Sequence, residues 1–233
     1  VVPQRHDSAD YGWLNPDIHA SRLSKFRFRH WNEPGNYLDE NIRRMIGNYR
    51  FSVMELANKY LEMNKPDSAN KWLEWGLNNL PFTVTDSDAQ TIAIYAYKFA
   101  KVGDNDNSIE LAQEVEGNLL KELKYNMSEF DNIITDLNQL QQETEEARKN
   151  ANLDKRQELR SRIQHIVDRR QNVTRNISFS IDLLKIVQRV YFMAGKDEQA
   201  KSLADRVNEI TGSRITIPST KEENKAEIDK FGL

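Results

Sequence analysis

The sequence predicts an all-α chain: repeated helix pairs forming an α-α superhelix, with one long antiparallel hairpin inserted between the second pair and the third. Three observations predict it. The six prolines stand at 3, 16, 34, 66, 81 and 218, so residues 82–217 contain none, and residues 118–194 contain no glycine either. A stretch that long without a breaker reads as helix. One spacing of aromatic and small residues occurs three times, and two successive limbs carry apolar residues at alternating intervals of three and four, the mark of a helical seam.

In chain order, residues 1–40 read as an irregular lead-in. Tyr11-Gly12-Trp13, Asn15-Pro16 and Asn32-Glu33-Pro34-Gly35-Asn36 carry turn chemistry around the short run Lys25-Phe26-Arg27-Phe28-Arg29. Helices are then expected over about 40–63, 66–80, 87–102, 107–149, 153–194 and 197–211. The first pair shows Leu56-Ala57, Tyr60, Ala69, Gly76 and Pro81; the second Tyr95-Ala96, Phe99, Gly103, Ser108 and Val115; the third Val187-Gln188, Tyr191, Gly195, Ala200 and Val207. In each, nine residues separate the aromatic from the small residue, and seven more lead to the next position. That is the spacing of a tetratricopeptide repeat. The aromatic fills the groove between paired helices, and Gly103, Gly195 and Asn64 suit the left-handed turn that ends the first helix. Ala69, Ser108 and Ala200 let the two backbones approach, and Pro81 stops a second helix. Gln188, standing where a small residue is expected, makes the third copy degenerate.

The first two aromatics, Tyr60 and Phe99, are 39 residues apart, but Phe99 and Tyr191 are 92 apart, so a hairpin is inserted at about 117–180. Its outbound limb carries Leu120, Leu123, Met127, Phe130, Ile134 and Leu137. The return carries Leu159, Ile163, Ile166, Val173 and Ile177, with Arg170 interrupting one layer. Residues 117–147 hold 7 acidic and 2 basic side chains, whereas 153–180 hold 3 acidic and 7 basic. Opposite charge favours an antiparallel coiled coil between these limbs, and assigns Arg160, Arg162, Arg169, Arg170 and Arg175 to it rather than to phosphate or membrane. Asn150-Ala151-Asn152 is the expected tip. The domain division is therefore 1–40 lead-in, possible juxtamembrane segment included, 41–217 helical-repeat domain with the hairpin, and 218–233 a polar tail ordered only where it docks.

Composition removes several chemistries. The chain has no cysteine, which excludes disulfides, zinc-thiolate sites and thiol catalysis. A net charge of -3 gives no footprint of a nucleic-acid binder. The longest apolar stretch, Ile92 to Tyr97, is far short of the roughly 20 residues a membrane span needs. His6, His19, His30 and His165 show no ligand spacing, so no metal and no cofactor is expected. Asp104-Asn105-Asp106-Asn107-Ser108 opens like a calcium loop, but Ile109 stands where glycine is required and Val115 where the bidentate glutamate belongs. It reads as a turn and helix N-cap. Asn126, Asn172 and Asn176 open glycosylation triplets inside helical stretches, where chance explains them.

What remains is a surface. Side chains four apart on the first helix of each pair point into the concave groove of such an array. Asn58, Tyr97, Lys101, Lys185 and Arg189 are the expected partner-binding residues, beside Met54 and Ala93. Their mixture suits a peptide carboxylate or a polar glycan, and no catalytic residue is assigned.

One stretch is more specific than the repeat. Lys25-Phe26-Arg27-Phe28-Arg29, Asn32-Glu33-Pro34-Gly35-Asn36-Tyr37-Leu38-Asp39-Glu40-Asn41-Ile42-Arg43-Arg44-Met45 and Asn48-Tyr49-Arg50 resemble the soluble C-terminal region of a family of bacterial multi-pass membrane proteins, described as protein O-mannosyltransferase-like. The resemblance is best over residues 11–81. It implies a tetratricopeptide-like domain on the extracytoplasmic (periplasmic) face, following a membrane portion that resembles a lipid-dependent glycosyltransferase and holds any catalytic acid. The chain begins with Val and carries no leader, and reads as a piece of something longer. Trp13, Arg22, Phe26, Phe28 and Trp31 fit either a segment leaving a membrane interface or a strap on the first helix pair. The expected function is non-catalytic: a helical-repeat binding domain that holds a protein or glycan partner. The alternative is a free-standing tetratricopeptide adaptor binding peptides.

Overall fold

Helix starts follow the caps that the sequence supplies. In the computed structural model, which describes residues 15–28, 39–82, 89–150 and 153–232, every regular element is helical. Helix α1 (Pro16–Leu23) opens on Asn15, whose Oδ1 accepts from the Asp17 and Ile18 amides, both at 3.1 Å. Asp39 caps α2 (Glu40–Glu62) by accepting from Ile42 N at 2.9 Å. Helix α3 (Pro66–Asn79) starts on a proline, whose fixed φ suits a first helical position. After α4 (Ala89–Val102), Asp104 accepts from Asn107 N at 3.1 Å and opens α5 (Asn105–Lys149), so the calcium-like string is a helix cap. Helices α6 (Leu153–Met193) and α7 (Asp197–Thr211) follow, and Thr220 caps α8 (Lys221–Ile228). Two segments differ from expectation: residues 16–23 are helical within the irregular lead-in, and 221–228 are helical within the polar tail. In both a capping side chain starts a helix that is too short and too polar to show a hydrophobic period. Trp13, Trp31, Asn32 to Leu38, residues 87–88 and the tip residues 151–152 lie outside the described residues.

The α2–α3, α4–α5 and α6–α7 turns are copies of one another. Asn64, Gly103 and Gly195 have φ of 55°, 88° and 69°, in the left-handed region. The next residue in each turn donates its N–H to the carbonyl of the repeat aromatic: Lys65 to Tyr60 at 2.8 Å, Asp104 to Phe99 at 3.0 Å, and Lys196 to Tyr191 at 2.8 Å. This six-to-one bond closes a Schellman turn. The small residues Ala69, Ser108 and Ala200 are fully buried.

The chain divides into two compact units, residues 1–108 and 109–233. In the first unit α2 packs on α3, and α4 on both. Their approach at Gly76 is close. A Cβ there would lie 2.8 Å from the Tyr95 hydroxyl and 2.9 Å from Val53 Cγ1. Buried Arg50 closes the other end of α3, donating to the carbonyls of Leu80 at 3.0 Å and Pro81 at 2.7 Å while its guanidinium lies 4.6 Å over the Phe82 ring. Helix α3 has no basic residue in its last turn, and an arginine of α2 instead binds the carbonyls of the C-cap Leu80 and of Pro81 just beyond it. Phe28 packs edge-on to Tyr49 and Trp75, at 5.2 and 5.7 Å. Phe26 and Phe28 thus lie against the first helix pair.

In the second unit Glu129 pairs with Arg169, and Glu143 with Arg162 at 3.1 Å. Rising numbers on α5 meet falling numbers on α6, so these helices run antiparallel. Leu140, Ala147 and Leu159 form a buried cluster between them with Ile163 and Ile166 packed against it. Arg170, which breaks the apolar register, sits 5.8 Å over the ring of Phe130. Helices α7 and α8 each pack on the C-terminal half of α6.

Candidate partner-binding surfaces

The five groove residues expected from sequence fall into two groups, one in each unit. In the first unit the group is organised by a residue that the spacing argument did not select. Lys98 of α4 is 4% exposed, and its ammonium donates one hydrogen bond, 2.6 Å long, to Asn58 Oδ1 of α2. Burial pushes the amine down to about 8, Lys101 pushes the same way, and the Glu55 carboxylate opposes both. The cause is desolvation: a cation removed from water with a neutral amide as its hydrogen-bond acceptor prefers to lose its proton. Lys101, one turn on and exposed, places its ammonium 5.1 Å over the Tyr97 ring. Tyr97 itself is buried, as are Met54 and Ala93, while Asn58 is half-buried.

The helix pairing explains this cluster. Helices α2 and α4 contact each other directly, and Asn58 lies two residues before Tyr60, the aromatic that closes the turn. The signal for Lys98 was present in the sequence. It is a single cation within Ile92-Ala93-Ile94-Tyr95-Ala96-Tyr97-Lys98-Phe99-Ala100, and a charge inside so apolar a stretch is either paired or shifted. Chemically the cluster offers an ammonium with one of its three protons engaged, a second ammonium one turn away, and an amide. That donor set matches a carboxylate.

In the second unit Lys185 and Arg189 project from α6 and are met by the chain's own C-terminal segment. Lys185 Nζ lies 3.2 Å from Glu227 and 3.5 Å from Asp182, and Arg189 donates to the Lys221 carbonyl at 3.4 Å. Lys230 and Lys185 hold the Glu227 carboxyl below the usual range. Between them stands Gln188, fully buried. Its amide donates to the carbonyls of Ala200 at 3.0 Å and Pro218 at 2.6 Å, and its oxygen accepts from Asn224 at 3.0 Å. The glutamine that spoiled the repeat pattern is thus the anchor of the tail. A cleft of about 630 Å³ remains beside α8, lined in part by Lys185, Asn208, Thr216, Glu223 and Glu227.

Nearer the start of α5, Glu116 accepts from the Tyr191 hydroxyl at 2.6 Å and from Arg206. Burial, and then this acidic partner, push the phenol pKa upward. Among the described residues no three His, Asp or Glu side chains are placed to hold a metal ion. No helix there is long and apolar enough to cross a membrane. No protein-family model, curated protein or solved structure matches this chain.

Proposed function

We propose that this chain is a tetratricopeptide-like binding domain with an inserted antiparallel coiled-coil hairpin, and that it holds a protein or glycan partner without catalysing a reaction on it. The observation that carries the reading is the Lys98–Asn58 pair with Lys101 beside it. A buried ammonium whose one hydrogen-bond acceptor is an amide, and whose pKa stays lowered despite the Glu55 carboxylate, gains from an incoming carboxylate that bonds to it directly. Three identical Schellman turns at the repeat aromatics support the tetratricopeptide part. The resemblance of residues 11–81 supports a place on the extracytoplasmic face of a membrane glycosyltransferase-like protein. A run of hydrophobic spans encoded upstream of Val1 is expected on that reading, and a soluble upstream region favours the free-standing adaptor.

The binding test is direct. The chain is titrated by fluorescence anisotropy against immobilisation-free peptide pools with free and with amidated C-termini, and against uronate-containing and neutral oligosaccharides. Carboxylate-bearing members should bind, and Lys98→Met and Lys101→Glu should each weaken them at least tenfold with helicity unchanged. Equal binding of the amidated and free forms, or no effect of either substitution, removes the cluster from the function.

A further inference from the structure

The C-terminal segment has the composition of a ligand more than of a core element. Helix α8 has eight residues, Lys-Glu-Glu-Asn-Lys-Ala-Glu-Ile, of which only Asn224 and Ile228 are buried. A helix this short does not hold in water by itself, so its order comes from the surface beneath it. That surface is polar and directional. Going along the chain, Gln188 Nε2 takes the Pro218 carbonyl, Arg189 takes the Lys221 carbonyl, Gln188 Oε1 and the Lys185 carbonyl receive the Asn224 amide, and Lys185 Nζ takes Glu227. The seat presents two cations; the strap answers with backbone oxygens and an acidic side chain.

The match is incomplete. Asn224 is fully buried, yet its Oδ1 has no hydrogen-bond partner, and neither has Oδ1 of Asn208 in the adjoining cleft. A buried oxygen left unpaired in this way destabilises the packing that holds it. An open cleft runs between strap and body, lined from both sides by Lys185, Asn208, Glu223 and Glu227. A permanent core element is ordinarily packed to native density with its polar atoms satisfied.

From these observations we infer that the α6 face carrying Lys185, Gln188 and Arg189 is an exchangeable seat for an acidic helical peptide segment, occupied in this structure by residues 217–228. A partner protein's helix of the same chemistry, with a carboxylate placed for Lys185 and an amide for Gln188, takes that seat when the strap leaves. The inference uses residues of the second unit alone. Its outcome is therefore separable from that of the Lys98 cluster.

The probe is a fluorescent peptide with the sequence of residues 216–233, titrated into the full chain. In the wild type the tethered strap competes at the high effective concentration of an intramolecular ligand, so binding in trans should be weak. The double variant Asn224→Ala with Glu227→Lys loosens the strap and leaves the seat intact; it should bind the wild-type peptide at least tenfold more tightly, and a peptide carrying Glu227→Lys should not bind. Equal affinity of the two chains for the peptide, with helicity retained, overturns the inference. Native-state hydrogen exchange on the unmodified chain gives a second reading that needs no variant. Amides of 222–228 should exchange at least a hundredfold faster than those of 183–191, and equal protection would make α8 a fixed part of the fold.

Discussion

At the scale of the residue, Lys98 carries the clearest thermodynamic signature. Its folded pKa of about 8 lies below the 10.5 of a free lysine. Below pH 8 both folded and unfolded chains hold the proton, and the full cost of burying the charge applies, on the order of 3 kcal/mol. Between 8 and 10.5 the unfolded chain keeps a proton the folded one has lost, so this contribution to stability rises with pH; above 10.5 the penalty is gone. Lys98→Met should therefore stabilise the chain by about 1–3 kcal/mol at pH 7, and its advantage over the wild type should shrink as pH rises through that window. Urea midpoints of both proteins at pH 7, 9 and 10.5 check it, and an advantage that stays constant would mean a lysine charged throughout. Lys98 escaped the spacing argument because periodicity ranks positions by hydropathy, and a lysine on an apolar face is scored as an interruption. Gln188 escaped for the same reason. Its polar head looked like decay of a repeat, whereas it serves a strap thirty residues further on.

At the scale of the element, the α5–α6 pair is held by apolar burial more than by its ion pairs. Leu159 is fully buried within the cluster of Leu140 and Ala147, and Leu159→Ala should cost about 2–4 kcal/mol. Arg162 pairs with Glu143 but remains 46% exposed in its side chain, and water and salt screen such a pair. Arg162→Gln should be much milder. Guanidinium denaturation of the two variants, followed by circular dichroism, separates the contributions; a larger loss from Arg162→Gln would mean that charge sets the pairing. The long helices were legible because breakers are missing across them and because the α2–α3, α4–α5 and α6–α7 turns carry Asn64, Gly103 and Gly195 in one place. Helices α1 and α8 were not, since eight residues hold too few apolar positions to show a period and draw their stability from caps and from what they dock against.

At the scale of the whole molecule, the spacing of aromatics and small residues located the turns that follow Tyr60, Phe99 and Tyr191. The chain forms two compact units, residues 1–108 and 109–233. The repeated turn carries a consequence for the unfolded chain as well. Lys65 (φ -117°, ψ 66°) stands before Pro66, and Lys196 (φ -98°, ψ 55°) holds nearly the same backbone angles before Asp197. The first N–H of a helix has no acceptor within it, so the third turn can take a proline where the first already has one. Asp197→Pro removes disorder from the denatured ensemble and should add about 0.4–1 kcal/mol of stability. Moving the same ring one residue back, as Lys196→Pro, deletes the donor that reaches the Tyr191 carbonyl and should lower the melting temperature. The two substitutions differ by one position and should move the thermal midpoint in opposite directions.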